Sequence, residues 1–78
     1  MKKIRIEYCT SWGYVARAVA LSGNLLDEHK NNIEEIKIIP SLGGVFEVYT
    51  DDKLVFSKKN LNRFPEVDEV ENLIRMDM

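Results

Sequence analysis

Apolar positions change their period along the chain, and each change marks a predicted element. From Lys3 to Tyr8 they alternate with polar ones, Ile4, Ile6 and Tyr8 on one side and Lys3, Arg5 and Glu7 on the other. A period of two is that of a half-buried strand. Past Cys9 the spacing becomes helical: Val15, Ala18, Val19, Ser22, Leu26 and His29 form a stripe that Tyr14, Leu21 and Leu25 widen. Thr10 or Ser11 supplies the N-cap oxygen, and Asn31-Asn32 ends the helix, with His29 and Lys30 at the negative end of its dipole. Gly23 either serves close packing or marks an earlier end.

Two further strands are predicted over Ile33 to Ile39 and Gly44 to Thr50, separated by the Pro40-Ser41-Leu42-Gly43 connection. In the second, Phe46 and Val48 oppose Val45, Glu47 and Tyr49. Asp51-Asp52 then breaks the pattern before Lys53 to Ser57, so these strands read as a β-hairpin whose turn lacks glycine. Lys58 to Phe64 is a polar connection. Pro65 opens a last helix, with Glu66, Asp68 and Glu69 in its first turns and Val67, Val70, Leu73 and Ile74 as its apolar stripe.

The order β-α-β-β-β-α predicts an α/β two-layer sandwich. A crossover helix makes the first two strands parallel, and the hairpin adds antiparallel strands to give a mixed four-stranded sheet. Polar residues at alternate positions of the first strand imply that only one sheet face is fully covered.

Composition narrows what such a domain does. With 78 residues the chain has room for a single domain spanning 1-78 and little beyond its core. Eleven Lys and Arg against thirteen Asp and Glu, a net charge of -2, provide no basic field, so no nucleic acid partner is expected. The one cysteine forms no disulfide within the chain and provides no multi-thiolate metal set, so no metal is expected. Met1-Lys2-Lys3-Ile4-Arg5 precedes no long apolar run, so the expectation is a soluble, cytoplasmic protein with no membrane partner.

Candidate chemistry concentrates in Tyr8-Cys9-Thr10-Ser11-Trp12-Gly13-Tyr14, where Cys9 falls between a strand end and a helix start. Unpaired N–H groups and the positive end of a helix dipole favour a thiolate there. The opposing reading makes Cys9 a small apolar packing residue.

This stretch, together with Ile6-Glu7-Tyr8-Cys9 leading into Gly13-Tyr14, Pro40, Gly44-Val45-Phe46-Glu47-Val48, Leu54-Val55-Phe56-Ser57-Lys58-Lys59 and Phe64-Pro65, resembles the selenoprotein W, T and H related family, also called the Rdx family. The resemblance covers nearly the whole chain. It implies a thioredoxin-like redox domain that carries Cys-x-x-selenocysteine or Cys-x-x-Cys after its first strand, acting with glutathione or through a mixed disulfide with a protein thiol.

By the same resemblance Cys9 takes the first redox position and Trp12 the second. Indole is neither a nucleophile nor a redox couple of that kind, so dithiol exchange within one chain is excluded and turnover as an enzyme is left open. Three explanations of Trp12 compete. It is an aromatic anchor on a binding module; it accompanies monothiol chemistry at Cys9; or it reflects decoding, since UGG differs from the selenocysteine codon UGA by one base. A further reading has the indole capping the core beside Tyr8 or Tyr14.

Other constellations carry less. Tyr8, Tyr14, Phe46, Tyr49 and Phe56 match core or sheet-face spacing, and His29 reads as a surface residue. Gly43-Gly44 permits a tight turn and lacks a phosphate loop's spacing. Asp51-Asp52 and the acids from Glu66 to Glu71 suit a turn and a helix start. Lys58-Lys59 with Arg63 is a small basic patch suited to orienting glutathione or phosphate. The expected site is therefore Cys9 and Trp12, shaped by Thr10, Ser11 and Gly13, with Ser41, Leu42, Gly43 and Gly44 as neighbours. No cofactor beyond glutathione as co-substrate and a monomer or weak dimer complete the expectation; the alternative is a non-catalytic interaction module.

Overall fold

The computed structural model describes all of Met1–Met78. Strand β1 (Lys2–Cys9) leads to α1 (Tyr14–His29), and a 3-10 turn over Lys30–Asn32 enters β2 (Ile33–Ser41). Strands β3 (Phe46–Thr50) and β4 (Lys53–Ser57) follow, then a single helical turn α2 (Lys58–Leu61) and α3 (Glu69–Asp77).

The sheet runs β2-β1-β3-β4, parallel between β1 and β2 and antiparallel at its other two junctions. Alternation in β1 works as its sequence predicts. Ile4 and Ile6 are buried in the same cluster as Ala18, Leu21 and Leu25 of α1, Phe46, Val48 and Phe56 of the hairpin, and Val70 and Ile74 of α3. Both long helices thus lie on one face. The opposite face carries Arg5, whose guanidinium sits 4.1 Å over the Tyr49 ring, its registered neighbour on β3.

Several boundaries differ from expectation. Strand β2 runs through Pro40 and Ser41, which pair with Tyr8 and Cys9, so the connection begins only at Leu42. Pro40 is tolerated because β2 is an edge strand. Strand β3 starts at Phe46 because Gly43 and Gly44 both take positive φ. Asp51 replaces glycine in the hairpin turn by adopting φ 52 itself. Its carboxylate accepts the Lys3 N–H at 3.1 Å, and its own N–H donates to the Lys3 carbonyl at 2.7 Å.

Helix α1 is capped by neither Thr10 nor Ser11. Gly13 holds the N-cap at φ 74, a left-handed conformation that costs glycine least, with no side-chain cap bond. The buried stripe is Tyr14, Ala18, Leu21, Ser22 and Leu25, whereas Val15, Val19 and Leu26 face outward. Ser22 is buried because its hydroxyl donates to the Ala18 carbonyl at 2.8 Å, one turn back.

His29 is not a surface residue: its side chain is 10% exposed, 3.6 Å from the Glu28 carboxylate, at the junction of α1 with the tight turn. The predicted polar connection holds α2, whose N-cap Ser57 accepts the Asn60 N–H at 3.0 Å. Helix α3 begins at Glu69 rather than Pro65, because Asp68 turns left-handed as its N-cap. Val67 is consequently 100% exposed, and Val70 and Ile74 carry the buried stripe. No helix is long and apolar enough to cross a membrane.

Candidate functional site

Cys9 is the last residue of β1, and two loops meet around it. Its N–H donates to the Val45 carbonyl at 2.8 Å, and the next amide, of Thr10, donates to the Ser41 carbonyl at 3.2 Å. These bonds tie the loop that follows β1 to both ends of the loop joining β2 and β3. Ser11 and Gly44 are thereby brought to the thiol.

Cys9 is buried, 4% exposed, but it lies outside the main apolar cluster. Hydrogen bonding from backbone Ser11 and then Gly44 lowers the thiol pKa, outweighing the desolvation that raises it. The Ser11 side chain and the charge of Lys58 lower it further. Activation by the start of α1 is replaced by activation from loop amides, because the helix begins only at Tyr14.

Trp12 stands apart from this polar cluster. It is 86% exposed with φ 64, so the core-cap reading is overturned. The left-handed backbone at Trp12 and Gly13 turns the indole outward, and the space beside Tyr14 is taken by Phe64, edge-on at a centroid distance of 4.5 Å. Leu42, on the facing loop, is 79% exposed. Gly43 occupies the loop's turn at φ 80.

Within the predicted basic patch, Arg63 is already engaged by an acid. Arg63 is held bidentately by Glu69 at 2.7 and 2.9 Å and lies 6.0 Å from the Phe56 ring centroid. The charge of Lys58 is the one that bears on the thiol, its Nζ lying 5.7 Å from the Tyr14 ring centroid and 5.4 Å from that of Phe64. The chain pattern also hid the buried carboxylate of Glu47, which accepts the Ser57 hydroxyl and the Lys59 N–H. Only the β3–β4 register, which puts Glu47 opposite Ser57, explains that burial. Val45 was missed as well, because it acts through a carbonyl that every residue has.

Comparison with known proteins places this geometry. The Rdx family model matches residues 3–76. The chain belongs to the Rdx family. Selenoprotein W of Danio rerio is 37% identical over 67 residues, covering 85% of this chain and 78% of the zebrafish protein. A solved structure from Bordetella parapertussis superposes at TM-score 0.91 with 25% identity, covering 99% of this Rdx protein and 98% of that chain. The selenoprotein W-related protein from Vibrio cholerae gives TM-score 0.87 and 28% identity, over 95% of this chain and 92% of its own. A thioredoxin-like protein from Bacillus cereus shares the fold at TM-score 0.54 and 15% identity, over 99% and 88%. Family and fold together make this Rdx protein a redox-related domain of thioredoxin-like architecture.

Proposed function

We propose that this Rdx protein is a monothiol redox carrier in which Cys9 forms a reversible mixed disulfide with glutathione or a protein thiol. The lowered pKa of Cys9, caused chiefly by backbone Ser11 and Gly44, supports this reading. In the forward step the Cys9 thiolate attacks one sulfur of oxidised glutathione. The Cys9–glutathione disulfide forms as the glutathione disulfide breaks, and one glutathione thiolate leaves. A thiolate from another molecule then attacks the mixed disulfide and releases Cys9, since the chain holds no second sulfur nucleophile. The proposal needs no bound cofactor and suits a cytoplasmic setting.

Thr10, Ser11 and Gly13 shape one wall of the proposed site, and Ser41, Leu42, Gly43 and Gly44 the other. A second reading, an interaction module without redox turnover, rests on the exposed indole of Trp12 at the family's second redox position.

The two are separated by incubating the folded protein with oxidised glutathione at neutral pH and measuring intact mass. The carrier gains one glutathionyl group that dithiothreitol removes, and Cys9→Ser gains none. Absence of the adduct on folded wild-type protein overturns the carrier and leaves the module.

A further inference from the structure

The edge of the sheet formed by β2 carries a pattern that the proposed thiol chemistry does not use. Strand β2 is the longest in the sheet, and one of its sides has no partner strand. An unpaired strand side presents free N–H and C=O groups and is blunted in many proteins by an isolated charge. Here the charges come as a complementary set: Glu34 and Glu35 precede Ile36, and Lys37 follows it, all three charged residues exposed.

Suppose two copies pair antiparallel about a two-fold axis. Directly opposed residues share a face, so the axis must pass through a residue position. Centring on Glu34, Glu35 or Lys37 sets that charge against itself. Centring on Ile38 opposes Glu35 to Ser41 and Ile36 to Pro40, which has no N–H to donate. Centring on Ile36 opposes Glu35 to the partner's Lys37 and Lys37 to the partner's Glu35, with Ile36 against itself, and it stops short of the register shift that follows Ile33. Lys37 already lies 3.8 Å from Glu35 of its own chain, so the four charges would close into an alternating square. Ile38, 37% exposed, would gain cover, and Pro40 would fall outside the paired stretch.

We propose that β2 is a self-association edge, through which two copies of this chain pair antiparallel about Ile36 into one continuous sheet. The other edge offers no such complement, since Lys53 is the only charged residue of β4. Cys9 is registered with Ser41, five positions from the centre, so the two thiols lie about 33 Å apart along the strand direction and remain unlinked. The association is therefore independent of Cys9 and of the proposed redox role.

Sedimentation equilibrium on wild-type protein, Lys37→Glu, Glu35→Lys and Cys9→Ser tests it. Wild type and Cys9→Ser should dimerise alike, with or without reductant. Each charge reversal opposes like charges twice and should weaken self-association about tenfold or more. A one-to-one mixture of K37E and E35K pairs an acidic strand with a basic one and should recover the wild-type dimer. A wild-type protein that stays monomeric at millimolar concentration overturns the proposal, as does a dimer that both reversals leave intact or a mixture that does not recover. If a reversal unfolds the chain, salt decides: the ion-paired dimer weakens between about 0.05 and 0.5 M, and one that does not is built on another surface.

Discussion

The Cys9 N–H donates to the Val45 carbonyl at 2.8 Å, clamping the end of β1 against the entry to β3. The thiol is thereby presented to amides of two separate loops. Its environment is a property of main-chain geometry, and substitutions of neighbouring side chains should tune it only in part.

The first prediction concerns that tuning. Alkylation of Cys9 followed against pH should give a midpoint below the value of about 8.5 for a free cysteine. Ser11→Ala and Lys58→Ala should each raise the midpoint without abolishing the shift, because the larger backbone contributions of Ser11 and Gly44 persist. A midpoint equal to that of the urea-unfolded chain contradicts this account.

Residues Trp12 and Gly13 should separate exposure from conformation. Trp12→Ala removes a side chain that packs on little, and chemical denaturation should find stability within about 0.5 kcal/mol of wild type. Gly13→Ala places a Cβ at φ 74 and should cost about 1 kcal/mol, although no atom lies within 4 Å of that Cβ. A larger loss at Trp12 than at Gly13 would show that the indole is packed.

Helix α3 offers a sharper contrast. Ile74→Ala should destabilise by about 2–5 kcal/mol, because the isoleucine is fully enclosed in the shared core. Val67→Ala, outside the helix and fully exposed, should change stability by less than about 0.5 kcal/mol. Urea unfolding of the two variants reads the difference directly.

Acid sensitivity should report Glu69. Hydrogen bonding from the Arg63 side chain, with a further backbone bond from Glu66, lowers its pKa to about 2. The folded value lies below the unfolded one, near 4.3, so the pairing stabilises the fold above about pH 4.3. That stabilisation drains away as pH falls towards 2. Melting temperatures of wild type and Glu69→Gln should therefore differ at pH 7 and converge at pH 2; a constant gap would refute the pairing.

The sequence made some of this legible and concealed the rest for physical reasons. Strand β1 obeys a period of two strongly enough to be read directly, and the loop from Cys9 to Gly13 follows from the break in that period. The hairpin does not, because a register shift between Val48 and Tyr49 leaves Leu54 exposed and Phe56 buried two residues on. Helix α1 misleads because Val15, Val19 and Leu26 compete with Tyr14, Leu21 and Leu25 for the same stripe; only the direction from which the sheet approaches chooses between them. Pro65 can open a helix, but the left-handed backbone at Asp68 postpones α3 and strands Val67 outside it. Glu47 sits in a strand pattern that gives no sign of its burial, which depends on a partner, Ser57, ten residues away. The carbonyl of Val45 leaves no trace in residue type at all, whereas Gly44 is marked by the glycine pair of its turn.

Sheet order also dictates a timetable for synthesis. Strand β1 is translated before both of its neighbours, and its antiparallel pairing joins Ile4 to Thr50 and Tyr8 to Phe46. On a nascent chain α1 and β2 come out first and supply part of the cover of Ile4 and Ile6 and one partner for β1, while the other side of β1 waits for the hairpin. Until then that side of β1 presents unpaired N–H and C=O groups, and the emergence of β3 is the event that closes them.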